Sequence, residues 1–219
     1  MGGVLFSEGQ TGRSLVNLKG KYMSLKEKMI DESLKLFSVK GFMNTSVTDI
    51  LEATGSSKGG FYNHFKSKED LFFAALSKAR QLWRDKNLSG TEAIIRPIDR
   101  VKKILENYRD HYLSDQHNFP GGCIFVNLSV ELNDQAPDLV AEVNEGFVRL
   151  KNMIKRLLNE ERDAGNIIEN SNIDQVTEMI FSGLLGACVM YTSDKSKENL
   201  NYTIASLIDH LSQISKEPL

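Results

Sequence analysis

Gly55-Ser56-Ser57-Lys58-Gly59-Gly60-Phe61-Tyr62-Asn63-His64-Phe65 is the stretch on which the fold turns. Gly55 permits a tight turn and Ser57 suits the start of a helix. Phe61 and Phe65, four apart, share one helical face, while Lys58, Asn63 and His64 fall on the others. A short helix over Lys58–Phe65 is therefore predicted. Upstream, a second short helix starts near Thr45-Ser46, presents Val47, Ile50, Leu51 and Ala53, and stops at Gly55. Before it, Ser24 with Glu27 three residues on opens an amphipathic helix carrying Met29, Ile30, Leu34 and Phe37, which ends at Gly41. After it, Ser67 with Asp70 opens a long helix from Lys68 to about Lys86, with Leu71, Phe72, Ala75, Ala79 and Leu82 facing inward. Two short helices joined by a glycine turn, with a helix on either side, form a helix-turn-helix unit. Its second short helix is the one that would enter a DNA major groove. Gly59 and Gly60 weaken that helix by roughly 1 kcal/mol each relative to alanine, yet let its backbone come close to a groove.

Charge and periodicity extend this reading outward. The 219 residues have a net charge of −2, but residues 1–86 carry +5 and the rest −7. A basic segment on an acidic body fits one part meeting a polyanion, and equally fits an ordinary soluble surface. Residues 1–22, with glycines and no periodicity, read as a flexible arm, and Met23 is an alternative start. Beyond Gly90 helical spacing persists over roughly Pro97–Leu113, Cys123–Asn133, Leu139–Asp163, Ile173–Thr192 and Lys197–Ile214. The expectation is an all-α chain of about nine helices: an N-terminal three-helix head over residues 23–70, linked by the helix over 68–86 to a body over 71–219. The longest apolar run, Phe181 to Tyr191, is interrupted by Ser182, Gly183 and Gly186 and falls short of a bilayer span. No signal-peptide core is evident, so a cytoplasmic protein without a membrane is expected.

Thr45-Ser46-Val47, Ile50, the stretch from Gly55 to Phe65, and then Lys68, Leu71 and Phe72 together resemble the TetR family of bacterial transcriptional regulators. The resemblance covers roughly residues 24–72. It implies a DNA-binding head on a helical body that binds a small effector, forms a homodimer and binds double-stranded operator DNA. Carried onto this sequence, it implies a DNA-binding set of Thr45, Ser46, Ser56, Ser57, Lys58, Gly59, Gly60, Tyr62, Asn63, His64 and Lys68. Ser56, Ser57 and Lys58 would meet phosphate or base, and Tyr62, His64 and Lys68 phosphate, with Asn63 reading sequence. Val47, where some members have threonine, and Ser56, where an apolar residue is usual, depart from the pattern. Gly122 to Leu132 resembles a segment of one branch of the family, and Leu139 to Ile168, closing with Glu161-Arg162-Asp163-Ala164-Gly165-Asn166-Ile167, resembles the family's long helix and turn.

In the body, Trp83, Tyr108, Tyr112, Phe125, Phe147, Phe181 and Tyr191 are either ordinary core or the lining of a ligand pocket. Asn127 and Glu131, one helical turn apart, either bond a polar ligand, bond neighbouring helices or face water. Cys123 and Cys188 are either redox-responsive or inert small hydrophobes. The last two helices, with Phe181, Gly183, Gly186, Ala187, Ala205, Leu207, Ile208 and Leu211, carry small and apolar faces suited to pairing between subunits. Glu-x-x-His pairs, HExxH, Walker A and GxGxxG motifs are lacking, and neither cofactor nor metal is expected. A repressor released from DNA by a small molecule is the favoured function; a helical enzyme and a ligand-independent architectural DNA binder are the competing ones.

Overall fold

The computed structural model describes residues 23–216. The expected arm over 1–22, and the choice between Met1 and Met23, lie outside them. Among the described residues there are nine α-helices and no strand: α1 Leu25–Lys40, α2 Val47–Thr54, α3 Lys58–Tyr62, α4 Lys68–Asn87, α5 Pro97–Asn107, α6 Ile124–Leu132, α7 Pro137–Asp163, α8 Ile173–Asp194 and α9 Lys197–Ile214.

Local chemistry sets the starts of the first four. Ser24, Ser46, Ser57 and Ser67 each cap a helix by accepting a backbone N–H three residues on, and Glu27 and Asp49 close reciprocal capping boxes. Gly55 ends α2 in the left-handed conformation, φ +64°, which turns the chain toward α3. Lys28 of α1 donates to the Thr54 carbonyl at the C-terminus of α2, 2.7 Å, placing a cation where the helix dipole is negative.

Two apolar clusters hold the chain. Met29, Ile50, Phe61, Phe65 and Leu71 make the smaller one, between α1, α2, α3 and the start of α4. The larger runs through the remaining helices and reaches back to Leu34 and Phe37 of α1, Phe42 and Phe72. α1 therefore supplies both clusters, Met29 on one side and Phe37 on the other.

The structure departs from the sequence reading in four places. α3 ends at Tyr62, so Asn63, His64 and Phe65 follow it in a turn, although Phe65 still reaches the core. α7 begins at Pro137, two residues earlier than expected, because proline suits a first helical position whose N–H needs no partner. The segment after Asn107 is a π-helical turn, Tyr108–Tyr112, rather than more α-helix; both tyrosines are buried. Finally, α8 runs unbroken through Ser182, Gly183 and Gly186, and by length and composition alone it is long and apolar enough to cross a bilayer. Its side bearing Ile173, Val176, Ile180, Leu184 and Cys188 is buried in the larger cluster.

Candidate nucleic-acid interface and body cavity

Phe61 and Phe65 are buried, with ring centroids 5.9 Å apart, and they fix α3 by its inner side. What remains outside is polar. Lys58, Asn63 and His64 are exposed, and their side chains hold no hydrogen bond or ion pair among the described residues. Tyr62 is 59% exposed; its ring stands edge-on to Phe61 at 5.2 Å, which orients a hydroxyl that has no partner among the described residues. A half-exposed phenol held by its ring is suited to bonding something outside the molecule.

Gly59 and Gly60 add to this. A Cβ at Gly59 would come no nearer than 3.9 Å to any atom, Ser57 Oγ, and one at Gly60 would meet Leu25 at 3.4 Å, ordinary contact distances. Neither lies in the left-handed region, so nothing among the described residues requires a glycine there.

Other expected DNA contacts are spent internally. Thr45 is fully buried and its hydroxyl donates to the Gly41 carbonyl at 2.6 Å. The Ser46 hydroxyl is occupied by Asp49, donating at 2.5 Å and accepting from its N–H at 3.0 Å. Ser56 is half-buried with its hydroxyl on that of Thr54, 2.8 Å, whereas the exposed Ser57 caps α3 through Gly60 N, 3.2 Å. Lys68 is half-buried and clamps the chain: its ammonium donates to the carbonyls of Phe42 and Thr45, 2.9 and 3.0 Å, and lies 4.1 Å from the centre of the Phe42 ring.

Asn127 and Glu131 mark the seam between the N-terminal helices and the body, not a pocket. The Glu131 carboxylate accepts from Phe42 N and Met43 N, 2.8 and 2.9 Å. It sits against Gly41, φ +79°, where any Cβ would collide with it. Asn127 donates to the carbonyls of Ser38 and Gly121, 3.4 and 3.3 Å, and Gly121 N donates to Ser38 Oγ, 2.9 Å. α6 is thus tied to the end of α1 by backbone and side-chain bonds, which sequence spacing alone could not distinguish from ligand contacts.

A cavity of ≈ 230 Å³ does open in the body. Of the aromatic residues singled out in the sequence, Trp83, Tyr108, Phe125 and Phe147 line it and Tyr112, Phe181 and Tyr191 do not. Tyr112 and Tyr191 are core residues, and Phe181 stands behind the wall with its ring edge-on to Phe147, 6.3 Å between centres. The sequence reading missed Arg80 and Arg84 on α4, Leu88 just past its end, and Gly146, Arg149, Leu150 and Met153 on α7. Their spacing of three and four was a usable signal, once α4 and α7 were known to face each other. Trp83 Nε1 donates to the Tyr108 hydroxyl at 2.6 Å, fixing two walls together.

Behind this wall, Cys123 and Cys188 are both buried and reduced, with Tyr112 Oη 3.6 Å from Cys123 Sγ. Contact with Cys123, and burial, push the Cys188 thiol well up from its ordinary range, so it stays protonated. On α8 and α9 the expected pairing surface is partly core: Ala187, Leu207 and Leu211 are buried, and Gly183 makes room for Leu207 within the chain. Met179, Gly186, Val189 and Met190 of α8, and Tyr202 and Ala205 of α9, are exposed.

Residues 29–75 match the family described as bacterial regulatory proteins, tetR family, and residues 97–207 match the tetracyclin repressor-like C-terminal domain. An HTH-type transcriptional regulator of Lactococcus lactis is 30% identical over 131 residues, 59% of this chain and 65% of that protein. The HTH-type transcriptional repressor DhaR of a Mycobacterium species is 23% identical over 189 residues, 85% of this chain and 92% of that one. A TetR transcriptional regulator from Chloroflexus aurantiacus superposes with a TM-score of 0.79 at 26% identity, covering 89% of this chain and 97% of that one. With one family description matched across the helix-turn-helix and the other across half of the whole chain, the protein belongs to the TetR family of DNA-binding transcriptional regulators and is not an enzyme.

Proposed function

We propose that the chain is a ligand-responsive repressor that leaves double-stranded operator DNA when a small molecule enters its body. The observation that carries this reading is the outward edge of α3. Lys58, Gly59 and Tyr62 of α3, with Asn63 and His64 in the turn that follows, are exposed together with no side-chain hydrogen bond among the described residues, and the inner side of α3 is locked by Phe61. Lys58, Tyr62 and His64 would bond phosphates, Ser57 and the α3 backbone would lie close to the DNA, and Asn63 would read a base edge. Residues 23–70 act as the DNA-reading head and 71–219 as the effector-binding and pairing body.

A homodimer presents two such helices to half-sites about 34–36 Å apart. The exposed apolar stripe of Met179, Gly186, Val189 and Met190 on α8, with Tyr202 and Ala205 on α9, supports pairing through the last two helices. The effector acts by favouring a spacing of the heads that fits DNA poorly, and only its differential affinity for the two arrangements counts. The α6 seam supports such coupling: Phe125 lines the cavity and Glu131, on the same helix, holds the end of α1.

The test is fluorescence anisotropy with promoter DNA flanking the protein's own gene, over a salt series and with unrelated DNA as competitor. Binding that is salt-sensitive and survives competitor is expected. Binding abolished equally by any DNA would refute the operator reading, and a monomer on sedimentation at micromolar concentration would refute the pairing.

A further inference from the structure

The lining of the body cavity has a definite chemical bias. Three arginines, Arg80 and the exposed Arg84 and Arg149, border it, and no aspartate or glutamate does. Two of them are answered from outside the lining: Arg80 donates to the Glu142 carbonyl and lies 3.4 Å from its carboxylate, and Arg149 pairs with Glu145. Arg84 has no acidic partner among the described residues; its guanidinium donates only to the Gln81 side-chain oxygen, 2.6 Å. The remaining surface is mainly aromatic and aliphatic, with Trp83, Phe125 and Phe147 among it.

One polar group lies in the wall itself. The Tyr108 hydroxyl accepts from Trp83 but donates to no acceptor among the described residues, although the residue is 4% exposed. Burial raises its phenol well above the ordinary range, with the nearby Cys123 and Cys188 adding to the effect, so it keeps its proton and remains a donor. A buried donor lacking an acceptor has a free-energy cost that a ligand oxygen would relieve.

Resting on the ligand-responsive reading, we propose that the cavity takes a small amphipathic carboxylate, with its apolar part against Trp83, Phe125 and Phe147 and its anionic end among the arginines, Arg84 foremost. A planar guanidinium bonds a carboxylate in a two-pronged fashion that neither an alcohol nor an amine can match. The volume, ≈ 230 Å³, lies below the roughly 300–1,000 Å³ of sites for drug-sized ligands, so the occupant is a single ring or a short acyl chain.

The chain has one tryptophan, and it lines the cavity, so its emission reports occupancy directly. Phenylacetate, phenethyl alcohol and phenethylamine differ only in the polar end and serve as probes, with hexanoate as the aliphatic carboxylate. The expected result is a saturable change with phenylacetate or hexanoate. The better carboxylate should bind about tenfold or more tightly than the alcohol, the amine weakest, in line with one charged hydrogen bond. Arg84→Gln should erase most of that gap while leaving the alcohol's affinity alone, and Tyr108→Phe should weaken binding without changing the order. Equal binding of alcohol and carboxylate, a gap untouched by Arg84→Gln, or no saturable response to either carboxylate at millimolar concentration would overturn the proposal. DNA anisotropy on the same samples separates the two readings. Selective DNA binding without carboxylate binding defeats only this inference, and carboxylate binding without selective DNA binding defeats only the operator reading.

Discussion

Replacing both Gly59 and Gly60 by alanine should make the protein more stable and a worse DNA binder. Both residues lie in the first turn of α3, outside the left-handed region, and a Cβ at either finds only ordinary contacts, 3.9 Å to Ser57 Oγ and 3.4 Å to Leu25. Removing the conformational freedom of glycine therefore brings no clash with it. Alanine is favoured over glycine in a helix by up to about 1 kcal/mol, less at an end than in the middle, so the pair should contribute about 1–2 kcal/mol. For a chain of this size that raises the thermal midpoint by roughly 2–8 °C. If the α3 backbone lies against DNA, two added methyl groups overpack a closed interface at a cost of about 1–3 kcal/mol, a loss of roughly five- to 150-fold in affinity. Differential scanning calorimetry and anisotropy on the same preparations read the two effects. Their opposite signs rule out unfolding as the cause of weaker binding. Unchanged DNA affinity would show that the glycines face no DNA, and a lowered midpoint would show that the space around them is not open.

Lys68→Ala should destabilise the chain by about 2–3 kcal/mol in chemical denaturation, because two carbonyls at the α1–α2 turn lose a charged donor. Lys58→Ala should leave stability unchanged and reduce the salt slope of DNA binding by about 1, whereas Asn63→Ala should alter preference among operator variants. Glu161 is fully buried and accepts from both Arg96 and the Ile98 N–H at the start of α5, so Glu161→Ala should cost about 3 kcal/mol by removing the carboxylate from that guanidinium, which keeps only Ser215 and the Lys216 carbonyl, read as a shifted denaturation midpoint. Hydrogen bonding from Lys40, then from Ser46, holds the Asp49 carboxyl far below the usual carboxylate range. A group so depressed stabilises the fold above its unfolded value of about 4, and the contribution fades as pH falls toward its folded value. The gap in unfolding midpoint between wild type and Asp49→Asn should thus be constant near neutrality and close on acidification.

Serine caps, glycine stops and the Phe61–Phe65 spacing made α1 to α4 readable to within a few residues, since these are local signals carried by the chain's own backbone. The outward position of Tyr62 was readable for the same reason: it lies about 100° round the helix from Phe61, so it points out when Phe61 points in. The internal partners of Thr45 and Lys68 were not readable, because the acceptors that claim them, the carbonyls of Gly41, Phe42 and Thr45, are backbone atoms with no signature in side-chain pattern. Glu131 could not be assigned, as its donors lie 88 and 89 residues away. The arginines of the cavity stayed hidden because α4 and α7 meet only through tertiary packing.

The sharing of α1 between two apolar clusters has a consequence for how the molecule comes apart. Cutting the chain after residue 75 would leave Leu34, Phe37, Phe42 and Phe72 without the body that covers them, and the severed piece would carry a sticky face instead of an independent reader of DNA. Loss of the body's packing would in turn loosen the carboxyl half of α1, and with it the platform on which α2 and α3 stand. Melting should therefore be a single cooperative event in which neither cluster survives the other, and the outward edge of α3 should keep its shape for as long as the whole chain does.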